Sequence, residues 1–123
     1  MGSMELKLST GIYAGAGETP TDCFIFSFTN AAPAWGLLQS YGLAFKKPDS
    51  GAQDFQPAQD PSLPRKFAPG ERAKVGMDQR LAAKALVALG LKGKVEVEGF
   101  HGDASGMHFT GVSLVLDLDK WGS

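Results

Sequence analysis

Residues 94–119 read KVEVEGFHGDASGMHFTGVSLVLDLD, and this stretch decides the fold class. Val95 and Val97 alternate with Lys94, Glu96 and Glu98, while Val112, Leu114, Leu116 and Leu118 alternate with Gly111, Ser113, Val115 and Asp117. Alternation with a period of two marks a strand with one buried face. Between the two runs, Asp103-Ala104-Ser105-Gly106 suits a type I turn, with Asp at its first position and Gly at its last. The turn fixes a register: Gly102 opposite Met107, His101 opposite His108 and Phe100 opposite Phe109. The hairpin therefore predicts β architecture and brings the chain's only two histidines face to face.

Working back from the hairpin, residues 78–90 read as its one preceding helix. Asp78 can accept the unpaired amides of the first turn. Leu81, Ala85, Ala88 and Leu89 recur at helical spacing as an apolar stripe. Gly90 suits a left-handed stop, from which Leu91 folds back on Leu86. Arg72 to Met77 is a short strand with Ala73, Val75 and Met77 on one face.

Nearer the start, Phe24, Phe26 and Phe28 alternate through Cys23 to Thr29 and predict a strand whose aromatic face is core. Glu5 to Tyr13 is a further strand, with Leu6, Leu8 and Ile12 on its buried side. Trp35 to Phe45 reads as a third, with bulky residues on one parity and Gly36, Ser40, Gly42 and Ala44 on the other. That contrast implies close cover on the second face, and Gly36 and Gly42 are candidate bulges. Residues 46–70 hold five of the seven prolines (Pro48, Pro57, Pro61, Pro64 and Pro69) and predict a long loop. A short edge strand around Asp54-Phe55-Gln56, pinned by Phe55, Leu63 and Phe67, would shorten its irregular part.

A chain of 123 residues fits one domain, here expected over residues 4–121, with Met1-Gly2-Ser3 as a cloning remnant before a start at Met4. From Met4 onward there is no basic stretch leading into an apolar one, so either the natural start carries no secretory signal or a leader was removed ahead of it. Net charge is −1, which offers no basic excess for nucleic acid. No apolar run approaches the ~20 residues that span a bilayer. Cys23 is the single cysteine, so an internal disulfide and a cysteine-rich zinc site are excluded, and a cytoplasmic location is the simplest reading.

Short strands, Gly- and Pro-rich connections and one late helix together predict an all-β, two-layer β-sandwich. The runs Phe26-Ser27-Phe28-Thr29-Asn30, Gly42-Leu43-Ala44-Phe45, Leu63-Pro64-Arg65-Lys66 and Pro69-Gly70-Glu71 resemble small prokaryotic and phage immunoglobulin-like domains. Val95 to Gly106, ending in Asp-x-x-Gly, resembles their closing hairpin. The likeness covers most of residues 20–118. It implies an immunoglobulin-like sandwich without the inter-sheet disulfide, and it implies no catalytic residue.

Candidate chemistry centres on His101 and His108. Opposed strand residues have Cβ atoms about 4.5–5.5 Å apart, close enough for two imidazoles to share a metal ion. Zinc takes four protein ligands, or three and a water, and Asp103 is the one nearby third ligand. The ligand count thus favours a hydrogen-bonded polar pair over a metal centre. Two opposed imidazoliums would also repel and lower at least one pKa, so acid should weaken the hairpin.

Other groups are weaker candidates. Cys23 follows Asp22, whose charge opposes thiolate formation. Ser105 sits in a hairpin turn rather than at the strand-to-helix elbow of hydrolases. Gly15-Ala16-Gly17 precedes no helix bearing a lysine and is no phosphate loop. Glu96, Glu98, Asp117 and Asp119 alternate with apolar residues, as solvated outer faces do. Arg65, Lys66, Arg72 and Lys74, with Phe67 among them, read as edge protection more readily than as an anion site.

The sequence thus predicts a non-enzymatic binding or assembly module with no cofactor. Its expected contact surface is the 46–70 connection, through Phe55, Arg65, Lys66 and Phe67, or an open sheet edge. The expected partner is another protein or a second copy, rather than nucleic acid, membrane or a small-molecule substrate. A bacterial or phage structural subunit falls within this class, and virion association fits it. The alternative is a small metal-dependent or histidine-assisted enzyme built on His101, His108 and Asp103.

Overall fold

The side chains of Phe24, Phe26 and Phe28 are fully shielded from solvent, and the rest of the molecule is arranged around them. The computed structural model describes residues 4–14, 19–47, 50–103 and 105–121. The expected remnant Met1-Gly2-Ser3, the stretch Gly15-Ala16-Gly17, and Pro48 and Ala104 lie outside the described residues.

Among the described residues, nine strands form three antiparallel sheets, with two short helices. The first sheet has the order β1 (Met4–Tyr13), β2 (Thr21–Asn30), β7 (Arg72–Asp78). The second pairs β3 (Gly36–Leu38) with β6 (Arg65–Phe67). The third has the order β5 (Gln53–Pro57), β4 (Ser40–Lys46), β8 (Lys94–Asp103), β9 (Gly106–Asp117). The helices are α1 (Gln79–Ala88) and α2 (Leu118–Trp121). None is long and apolar enough to cross a membrane.

One core joins the sheets. The aromatic face of β2 meets Tyr41 of β4, whose ring centroid lies 5.1 Å from both Phe26 and Phe28. Phe67 of β6 closes on Phe28 at 6.3 Å, and Leu43, Phe45, Val97, Leu116 and Leu86 complete the interior. A buried aromatic removes roughly 150–250 Å² from water, so this cluster dominates the burial.

The register of the final hairpin is the one its turn predicts: His101 pairs with His108, Phe100 with Phe109 and Gly102 with Met107. One feature is additional. The β8–β9 register slips between Glu98 and Phe100. There, Gly111 takes a positive φ of 79° and donates its amide to the Glu98 carboxylate at 2.6 Å. Glu98 thus holds a bulge in β9 rather than merely facing solvent. The expected bulge at Gly42 is absent, since pairing with β8 runs through Gly42 unbroken and pairing with β5 begins there in register. A Cβ at Gly42 would instead collide with the backbone of Gln56 and Pro57.

Helix α1 starts and stops as expected. Asp78 accepts from the amides of Arg80 and Leu81, Gly90 has φ 94°, and Leu91 N–H returns to Leu86 O at 3.1 Å. Its buried face differs from the expected stripe. Gln79, Ala82, Ala83 and Leu86 face inward, whereas Leu81 is 65% exposed and Leu89 is also outside. Two alanines let the helix lie close against the sheet layer, and the Gln79 amide donates to Cys23 O there.

Three further expectations are corrected. Ile12 is exposed, while beyond Thr10 the half-buried side chain of β1 is Tyr13, which lies against Gly76 and donates to Lys74 O. Trp35 to Phe45 is not one strand: it breaks at Gln39 into β3 and β4, which join different sheets, and Trp35 is outside. The 46–70 stretch is not one long loop, since it contains the expected edge strand, β5, and also β6.

Candidate functional site

The turn end of the β8–β9 hairpin gathers His101, Asp103, Ser105 and His108. The register places both histidines on the face that also carries Tyr41 of β4, opposite His101 on its other side. Their imidazole centroids are 5.0 Å apart, inclined at 30°. Asp103 turns toward the pair: its Oδ1 is 3.1 Å from His108 Nε2 and its Oδ2 is 4.0 Å from His101 Nε2. Ser105 fixes that carboxylate, donating to Oδ1 from its amide at 2.8 Å and from its hydroxyl at 2.6 Å.

The two imidazoles differ in environment. His108 stands at the rim, 41% exposed, with its Nε2 also 2.9 Å from Ser105 Oγ. His101 is buried, and among the described residues neither of its ring nitrogens has a hydrogen-bond partner. A buried polar atom without a partner costs roughly 1–3 kcal/mol, so this is an unusual state for a side chain in a well-packed sheet.

Ser105, His108 and Asp103 are adjacent but do not form a hydrolytic triad. That chemistry needs the carboxylate on one ring nitrogen and the serine on the other. Here both lie on Nε2, and the serine hydroxyl donates to the carboxylate. Nearby, Tyr41 donates to Asp60 Oδ2 at 2.6 Å. Burial and then this bond push the tyrosine well above the ordinary phenol range. A groove of about 800 Å³ beside α1 is lined by Cys23, Tyr41, Met77 and Asp78, and Asp78 lies directly opposite Cys23 across the β2–β7 ladder.

Burial, then the His108 imidazole, hold His101 below the ordinary histidine value, while Asp103 pulls the other way. The direction expected from the sequence is met, with desolvation as the larger cause. Burial raises Asp103, but the Ser105 hydroxyl and amide and His108 outweigh it, leaving the carboxyl below its usual range. Because the native His101 pKa lies below 6.5, the unfolded chain takes up that proton first on acidification. Stability present above about pH 6.5 is then lost as pH falls toward the native value. The Asp103 contribution is complete above about pH 3.8 and is lost only as pH falls below that. Urea unfolding at pH 7.5 and 5.5 should show a weaker protein at 5.5, with a smaller difference in His101→Gln. Equal differences in both would remove His101 as the cause.

The second feature is the outer face of the four-stranded sheet. Phe55 of β5 packs edge-on against Phe100 at 5.2 Å and lies 6.3 Å from Phe109. Phe109 and Met107 are each 46% exposed, and Val112 and Val115 of the same strand stand further out. No family model, curated protein or solved structure matches this chain.

The expected surface set separates accordingly. Phe55 joins this outer patch. Lys66 is exposed, and Arg65 lies over the Phe67 ring at 4.7 Å and pairs with Glu71 at 3.4 Å. Phe67 is fully buried against Phe28 and is no contact residue, because β6 turns it into the core. Sequence reasoning missed Val112 and Val115 as surface residues of interest. Their signal was present: from Met107 to Leu116 the chain has no lysine, arginine, carboxylate or proline.

Proposed function

We propose that this chain is a non-enzymatic assembly module with an immunoglobulin-like sandwich fold, and that it pairs edge to edge with a second copy through β9. The strand orders support the fold reading. β1-β2-β7 and β5-β4-β8-β9 correspond to the A-B-E and C′-C-F-G orders of such sandwiches.

The observation that carries the function is the chemistry of the sheet edges. Natural proteins blunt edges with charge, proline or brevity. β1 carries Glu5 and Lys7, β7 carries Arg72 and Lys74, and β5 is five residues long and ends in Pro57. β9 is a 12-residue edge with only His108 and the terminal Asp117 as ionisable residues. The bulge around Gly111 divides it, leaving Val112–Asp117 as an arm of ordinary strand length. Two such arms paired antiparallel about Val115 set Asp117 opposite Ser113 of the copy, so no like charges meet.

Sedimentation velocity across concentration tests this. Wild type should show a monomer–dimer equilibrium. Val115→Lys places two ammonium groups opposite one another and should weaken the dimer at least about tenfold, or about 1.4 kcal/mol. A wild-type protein that stays monomeric at millimolar concentration contradicts the proposal.

A further inference from the structure

The His101 imidazole is aimed at a carboxylate and a second imidazole, and among the described residues both of its own nitrogens are unpaired. We propose that His101 Nε2, His108 Nε2 and the Asp103 carboxylate form a binding site for a divalent transition-metal ion, with zinc as the first candidate. The inference stands apart from the pairing of β9, since all three ligands lie within one hairpin.

The geometry supports it on several counts. One ligand atom from each residue can be chosen so that all three lie within 4.8 Å of one another. Bonds of 2.0–2.1 Å to a tetrahedral zinc place ligand atoms about 3.3 Å apart. His101 Nε2 lies 4.0 Å from the free Asp103 Oδ2, and His108 Nε2 reaches the same carboxylate at its other oxygen, so side-chain rotation within the hairpin can bring the set together. A metal at His101 Nε2 also gives that orphaned nitrogen a partner. Ser105 holds Asp103 by its Oδ1 and leaves Oδ2 free, the outer support that ligating carboxylates ordinarily have.

The donor set selects the class of ion. Two neutral imidazoles and one carboxylate suit zinc, copper, nickel or iron, whereas magnesium and calcium prefer all-oxygen sites. Three protein ligands leave one coordination position of a tetrahedral zinc for water or another ligand. The ion would tie β8 to β9 beside the turn and stabilise the hairpin by mass action.

The test is isothermal calorimetry of the whole chain at pH 7.5 with zinc chloride, and with magnesium chloride as control. One zinc per chain should bind and raise the melting temperature, and magnesium should do neither. His108→Ala and Asp103→Asn should each weaken zinc at least about 100-fold, the upper figure for removing even an outer-shell partner. Should those variants misfold, proton NMR of the wild type decides, because the chain has only two histidines. Zinc should then move the ring resonances of both. Absent binding at 1 mM zinc, binding that survives both substitutions, or shifts at only one histidine would overturn the site.

Discussion

Phe28→Ala is expected to lower the unfolding free energy by about 3–5 kcal/mol, the usual cost of emptying a buried aromatic site. Phe28 is where all three sheets meet. Its ring contacts Phe26 of its own strand at 6.4 Å, Tyr41 of β4 at 5.1 Å and Phe67 of β6 at 6.3 Å. The cavity left behind cannot be filled from one side, because its walls belong to three separately hydrogen-bonded sheets. Domains of this size are stable by only about 5–15 kcal/mol, so the loss is a large share of the total. Urea unfolding of the variant measures it, with Leu81→Ala as a helix-surface control that should change stability by no more than about 0.5 kcal/mol. A cost below 1 kcal/mol at Phe28 would mean that the three sheets do not share this ring.

Asn30→Ala is expected to cost about 2–4 kcal/mol, at the level of one or two buried groups left without partners. The side chain is 1% exposed at the end of β2. Its amide donates to the carbonyls of Ala34, Phe67 and Ala68, and its oxygen accepts from Ala32 N–H at 3.1 Å. Its own backbone N–H and C=O bond to Glu71 and Gly70. One residue therefore ties the end of β2 to the turn after it and to the β6–β7 connection. Asn30→Asp separates this role from simple space filling. Aspartate has nearly the same shape but presents only acceptors to three carbonyl oxygens, so it should be at least as damaging as alanine. A tolerated aspartate would show that the hydrogen bonds are not what holds the connection.

What could be read from the sequence was local. The hairpin register follows from turn chemistry between two alternating runs, and the caps of α1 follow from Asp78 and Gly90. The Phe24-Phe26-Phe28 stripe needs no knowledge of its partner sheet to be placed inside. What escaped depends on which neighbour comes to lie where. Leu81 and Leu89 form as good a stripe as Ala82, Ala83 and Leu86, and only the distance between helix and sheet selects the alanines. Gln39 interrupts the bulky parity of Trp35 to Phe45, but nothing there shows that β3 and β4 would enter different sheets. Phe67 read both as a buried pin of the 46–70 stretch and as part of a basic surface, and the pairing of β3 with β6 selects the first by turning it inward. At the candidate site, the His101–His108 pairing was legible, but the inward turn of Asp103 was not. That orientation is set by Ser105, two residues on, through bonds of 2.6 and 2.8 Å.

The central claim is that β9 is an uncovered edge that takes a strand from a second copy. Residue-resolved hydrogen exchange at two protein concentrations tests it most directly. In dilute protein, the alternate β9 amides that do not face β8 should exchange rapidly while those of β4 and β8 stay protected. At concentrations where the dimer forms, the outward amides of Val112–Asp117 should slow in wild type and remain fast in Val115→Lys. Outward amides already protected in the dilute monomer, or equally fast at both concentrations, would contradict the account.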